Sequence, residues 1–102
     1  MTRVYADEEA MELSVSGHAG FGPRGADIVC AGISALTCTL LERLEDKGLL
    51  VDYAQDTQKG LVWLQAVPCP TSKAYMDFCL AGLCLLAESY PENICVEIQG
   101  AA

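Results

Sequence analysis

The six residues from Gly20 to Gly25, reading Gly-Phe-Gly-Pro-Arg-Gly, constrain this chain more than any other stretch. Three glycines and one proline in six positions suit neither a helix nor a strand. Regular structure must therefore stop before Gly20 and begin again after Gly25. Upstream, Met11, Leu13 and Val15 alternate with Glu12, Ser14 and Ser16, the period of a half-buried strand. Downstream, Asp27 is placed to cap a helix, its carboxylate accepting from backbone N–H groups two or three residues further on, that of Cys30 included. The order strand, loop, helix leaves His18 at the strand exit and Cys30 in the first helical turn.

The same two periods organise the rest. Thr2 to Tyr5 forms the other arm of a hairpin with Met11 to Ser16, turning through the acidic segment Ala6 to Ala10. Val29, Ile33, Leu36, Leu40 and Leu44 recur at helical spacing, and Lys47-Gly48 supplies a stop, so the spacing predicts a first helix over residues 28 to 47. Gly32 inside it costs about 1 kcal/mol relative to alanine and points to a close approach by another element. A second hairpin is expected from Leu49 to Gln55 and Leu61 to Val67, around the polar turn Asp56 to Gly60. After Pro68-Cys69-Pro70, with Thr71 or Ser72 as cap, a second helix runs to Pro91, and Ile94 to Ile98 forms a last strand. The fold class expected is α+β: a mixed sheet of about five strands with two helices, in the order ββαββαβ, as a single domain over residues 1 to 102. The second helix is apolar on nearly every side from Phe78 to Leu86 and needs cover on more than one face, from the sheet and first helix or from another subunit.

Composition excludes several function classes. Six basic against fourteen acidic residues give a net charge of -8, which opposes nucleic-acid binding by phosphate neutralisation and favours a basic partner. The longest apolar run, Phe78 to Leu86, is half of what a membrane span requires, and no secretory signal is visible at the start, so a cytoplasmic protein with reduced cysteines is expected. Cys30, Cys38, Cys69, Cys79, Cys84 and Cys95 form no CxxC pair and match no zinc-site spacing. No metal and no cofactor are expected.

His18 and Cys30 are the candidate chemistry. A cysteine attacks as its thiolate. A helix start stabilises a nearby negative charge by only roughly 0.3–1 kcal/mol, and Asp27 sets a carboxylate against it, so helix position alone does not make a nucleophile. A neighbouring His18 that takes the proton supplies what is missing. Asp27 has two readings, a plain cap or a carboxylate that orients the imidazole. Ser34, four residues after Cys30, faces the same side and either assists the site or bonds back to the helix backbone. Cys69, between two prolines, is the second most exposed thiol expected, whereas Cys38, Cys79, Cys84 and Cys95 read as small buried hydrophobes.

The run Gly17-His18-Ala19, five residues, Gly25, one residue, Asp27-Ile28-Val29-Cys30-Ala31 and then Ser34 resembles the signature of the ribosomal-processing cysteine protease family, Prp. That resemblance implies a small homodimeric cysteine endopeptidase. Its substrate would be a ribosomal protein precursor, large-subunit protein twenty-seven, from which it removes an N-terminal extension after an aromatic residue. Cys30 would be the nucleophile and His18 the general base, with Asp27 and Ser34 in support. The loop Gly20, Phe21, Gly22, Pro23, Arg24 and Gly25 would gate the substrate. Two rival readings are a noncatalytic acidic module that binds ribosomal proteins during assembly and, less favoured, a redox sensor built on Cys30.

Overall fold

A computed structural model describes residues 1–100; residues 101 and 102 lie outside the described part of the chain. The elements follow the expected order: β1 (Thr2–Asp7), β2 (Glu12–Ser16), α1 (Ile28–Asp46), β3 (Leu50–Asp56), β4 (Leu61–Ala66), α2 (Pro70–Ser89) and β5 (Ile94–Gln99). The strands make one mixed sheet in the order β3-β4-β2-β1-β5. All neighbours are antiparallel except β1 and β5, which run parallel because α2 carries the chain back before β5 begins.

Alternation along the strands builds the core. Val4, Ala6, Leu13, Val15, Leu64, Ala66 and Ile94 point to one face, where Val29, Ile33, Leu40 and Leu44 of α1 and Met76, Cys79, Leu80 and Leu83 of α2 cover them. Both helices therefore lie on a single side of the sheet. They meet through their glycines. A Cβ on Gly32 would stand 3.3 Å from Leu86 Cδ1, and one on Gly82 would stand 2.8 Å from Leu36 Cδ2. The glycine expected to mark a close approach in α1 thus has a counterpart in α2, each receiving a leucine of the other helix.

Four local expectations need adjustment. β1 extends to Asp7, two residues beyond Tyr5, because the Asp7 carboxylate accepts from the Glu9 and Ala10 N–H groups and closes the turn itself. Cys69, rather than Thr71 or Ser72, occupies the N-cap of α2, with Pro70 as the first helical residue. Ser72 sits three positions on and bonds back to the Cys69 N–H at 3.1 Å, so its hydroxyl serves the same cap from inside the helix. Cys38, read as buried because its helix is built largely of Leu, Ile and Val, is exposed and borders a cleft beside Gln55, Asp56 and Thr57. The run from Phe78 to Leu86 is only partly covered: Phe78 is 78% and Leu85 64% exposed. No helix is long and apolar enough to cross a membrane among the described residues.

At the far edge of the sheet β3 overhangs the helical layer, with Val51 to Gln55 all exposed. The overhang projects the β3–β4 turn beside the exit of β2, and this places one wall of the site.

Candidate active site

Asp27 is the keystone of the site. Its φ of -88° and ψ of 107° are those of an N-cap, and its Oδ1 accepts from the N–H groups of Val29 at 2.9 Å and Cys30 at 3.0 Å. Its other oxygen, Oδ2, turns to the loop and accepts from the N–H groups of Phe21 at 2.8 Å and Gly22 at 3.1 Å. One carboxylate thus fastens the glycine-rich loop to the start of α1. These donors, that of Cys30 foremost, with Gly22, Phe21 and Val29 behind it, hold the Asp27 carboxyl below the usual range against the opposing effect of burial. Of the two readings of Asp27, the cap is realised, extended by a clamp on the loop.

The loop has further anchors. The Phe21 ring meets Tyr90, at the end of α2, edge-on with centroids 5.1 Å apart. The Arg24 guanidinium donates to the Thr57 carbonyl in the β3–β4 turn at 3.4 Å, and the Ala26 N–H closes a turn onto the Pro23 carbonyl at 2.9 Å. Gly20 and Gly25 have φ of +70° and +86°, a backbone region open to glycine at little cost.

The exit of β2 is pinned just as firmly. The Thr2 hydroxyl donates to the Gly17 carbonyl at 3.2 Å, and His18 Nε2 lies 2.9 Å from the Gln58 carbonyl. A carbonyl only accepts, so Nε2 carries a hydrogen and Nδ1 is the ring nitrogen left to take a proton. Ala19, buried among core residues, directs its N–H at Cys30 Sγ from 3.3 Å and offers its carbonyl to the Asn93 side chain at 3.0 Å. The half-buried Cys30 thiol and the peptide joining His18 to Ala19 are therefore adjacent, although eleven residues separate His18 from Cys30 in the chain.

Two clefts open at this junction. One, of about 180 Å³, runs under the β3–β4 turn and is walled by Val15, Ile33, Thr37, Leu61 and Val62. The other, of about 430 Å³, lies under the glycine-rich loop and is bordered by Gly20, Gly22, Arg24, Gly25, Asp27 and Ala31. His18, Cys30 and Ser34 border both. Ser34 is exposed on the shared rim, one turn after Cys30. Pro23 is exposed at the tip of the loop and lines neither cleft.

The backbone N–H groups of residues 29 to 31, in the first turn of α1, are already engaged. The N–H groups of Val29 and Cys30 go to the Asp27 side chain and that of Ala31 to the Asp27 carbonyl at 3.0 Å, so the amide aimed at the sulfur comes from Ala19 instead. Sequence reasoning missed Ala19, Gln58, Tyr90 and Asn93. Each acts through a contact long in sequence, with no local pattern to announce it.

Comparison with known proteins establishes the family. The family profile described as cysteine protease Prp matches residues 1–95. The chain belongs to the Prp family. It is a cysteine protease. It is 34% identical over 90 residues to the ribosomal processing cysteine protease Prp of Mycoplasma pneumoniae, an alignment covering 86% of this chain and 87% of that protein. Its fold is similar to that of the S. aureus ribosomal processing protease Prp in complex with a covalently linked product peptide. There the TM-score is 0.82 at 24% identity, over 96% of this chain and 97% of that one. It is also similar to SMU.848 from Streptococcus mutans, with a TM-score of 0.76 at 25% identity over 96% and 91% of the two chains. Membership in a protease family favours the enzyme over the noncatalytic binding module.

Proposed function

We propose that this protein removes the N-terminal extension of ribosomal large-subunit protein twenty-seven, with Cys30 as nucleophile and His18 as general base. The observation that carries the reading is the contact between the Cys30 sulfur and the amide that follows His18, at the meeting of two clefts. His18, through Nδ1, takes the Cys30 proton. The thiolate attacks the scissile carbonyl carbon, the new C–S bond pushes an electron pair onto oxygen, and collapse of that intermediate breaks the C–N bond. The imidazolium gives its proton to the leaving amine. Water, deprotonated by His18, then hydrolyses the thioester and restores the thiol. No cofactor enters any step.

Asp27 supports this chemistry by holding the helix start and the loop together, and Ser34 borders the path of the substrate. The loop Gly20 to Gly25 gates entry: its anchors, one ring contact and a few hydrogen bonds, are few enough to release. The surplus of acidic residues suits a basic ribosomal protein precursor in the cytoplasm. A homodimer would cover Phe78 and Leu85. Sedimentation of the wild type and of Phe78→Glu tests that assignment, and a monomeric wild type rejects it.

The function is tested with a peptide spanning the junction between extension and mature protein. Cys30→Ala and His18→Ala are each expected to lower cleavage by roughly 10³-fold or more. Undiminished cleavage by either variant overturns the reading. Loss in Cys69→Ala with retention in Cys30→Ala would transfer the nucleophile to the α2 cap.

A further inference from the structure

Asn93 lies in the turn between α2 and β5, 63 residues after Cys30 in the chain, yet it is bonded into the site. Its side-chain NH2 donates to the Ala19 carbonyl at 3.0 Å, while the Ala19 N–H points at Cys30 Sγ from 3.3 Å. We propose that Asn93 is a positioning residue for the cleavage reaction: it holds Ala19 so that the Ala19 N–H is the fixed donor to the reacting sulfur. The inference rests on the reading of Cys30 as nucleophile.

Two features make this a specific arrangement. First, the N–H groups at the start of α1 that lie nearest the thiol are occupied by Asp27, so they are not free to face a charged sulfur. The Ala19 amide is the backbone donor that does so, and a hydrogen bond to an ionised acceptor is roughly twice as strong as one between neutral groups. Second, Ala19 sits between a strand end and a glycine-rich loop, where no ladder bond fixes it. Gly17 is held by the Thr2 hydroxyl and His18 by the Gln58 carbonyl, but the Ala19 carbonyl is held by the Asn93 side chain.

The backbone of Asn93 has separate duties. Its N–H donates to the Tyr90 carbonyl at 2.9 Å, and its carbonyl accepts from the Thr2 N–H at 2.9 Å. A change of side chain leaves both bonds in place. The turn that starts β5 is thereby tied both to the beginning of β1, through its backbone, and to the site, through its side chain.

The experiment compares Asn93→Asp and Asn93→Ala with the wild type, with Cys30→Ala alongside, on the junction peptide. Asn93→Asp keeps the shape of the side chain and removes its donors. Both Asn93 variants are expected to lower kcat by about 10- to 100-fold, with KM held within about twofold. The rate of iodoacetamide alkylation at Cys30 is expected to fall in parallel. A fall in kcat with KM held supports the proposal; unchanged kcat, or an effect confined to KM, overturns it. If Cys30→Ala still cleaves, the nucleophile assignment fails and with it the role of Asn93 in cleavage, whereas loss of cleavage in Cys30→Ala with unchanged kcat in both Asn93 variants overturns the Asn93 proposal alone. Should neither Asn93 variant fold, NMR of the wild type decides. Protected Asn93 side-chain protons and an Ala19 amide resonance that moves on alkylation of Cys30 are expected, and solvent-rate exchange at both sites overturns the proposal.

Discussion

Gly60, at the end of the β3–β4 turn, offers a sharp test of how the position of His18 is set. Its φ is +61°, and a Cβ placed on it would stand 2.6 Å from the Gly17 carbonyl oxygen and 3.1 Å from His18 Cε1. A non-glycine residue at such a φ costs roughly 1–2 kcal/mol. Carbon and oxygen settle at about 3.3 Å or more, so the Gly17 peptide must retreat by about 0.7 Å, an overpacking that adds about 1–3 kcal/mol. Gly60→Ala is therefore expected to lose on the order of 2–5 kcal/mol, or about 10–25 °C in Tm at roughly 5 °C per kcal/mol. Gly48 supplies the control. It has φ of +69° with nothing within 4 Å of a Cβ, so Gly48→Ala carries the conformational cost alone. Because a displacement of about 1 Å at a reacting group is worth about 10²-fold in rate, Gly60→Ala is expected to lower kcat by about tenfold or more at a temperature where both variants are folded. Gly48→Ala should retain the wild-type kcat. Equal kcat in the two variants would refute the claim that the turn sets the position of His18.

Two pH dependences and a labelling pattern follow from the same contacts. Burial pushes the Cys79 thiol up to about 11 from its ordinary 9.0. The unfolded chain therefore loses that proton first, and the contribution is intact below about pH 9 and lost as pH rises through about 11. At about 1.36 kcal/mol per pH unit it is worth on the order of 2–3 kcal/mol. In denaturant titrations the stability gap between wild type and Cys79→Ala should narrow over that window, and a constant gap contradicts it. For Asp27, whose folded value is depressed, the stabilisation is present above its ordinary 3.8 and disappears as pH falls through the lower folded value. Asp27→Asn should lack this increment of acid destabilisation when melting is followed below pH 4 or so. The Ser72 hydroxyl, followed by the backbone N–H groups of Ser72 and Thr71, holds the Cys69 thiol below its usual range, whereas Cys79 is raised. Mass spectrometry after brief alkylation should therefore find Cys69 modified and Cys79 intact; the reverse order would contradict the cap geometry.

Much of the fold was legible because its signals are local. Alternation fixed which face of β2 is buried, and Asp27 followed by a helical repeat marked the start of α1 at Ile28, as found. Gly32 announced the helix contact because a glycine within a helix has few other reasons to be there. The cap of α2 was misread because Ser72 is a capping residue by type, whereas Pro70, whose fixed φ suits the first helical position, starts the helix ahead of it. Cys38 was misread because α1 is built largely of Leu, Ile and Val, whereas Cys38 itself is exposed and borders the cleft under the β3–β4 turn.

The sequence by itself determined the elements, their order, and the placement of a histidine at a strand exit and a cysteine in a helical first turn. These depend on residue type and spacing, which act over a few positions. Only the tertiary structure decided what surrounds that pair. Asp27 divides its carboxylate between helix and loop, the Gln58 carbonyl selects the His18 tautomer, and Asn93 holds the residue whose amide faces the Cys30 sulfur. The Gln58 and Asn93 contacts join segments 40 and 74 residues apart, and they arise when the sheet order brings the β3–β4 turn and the start of β5 to the end of β2. Hydrogen bonds across that distance leave no periodic trace in a chain, because their partners are chosen by packing rather than by neighbours in sequence.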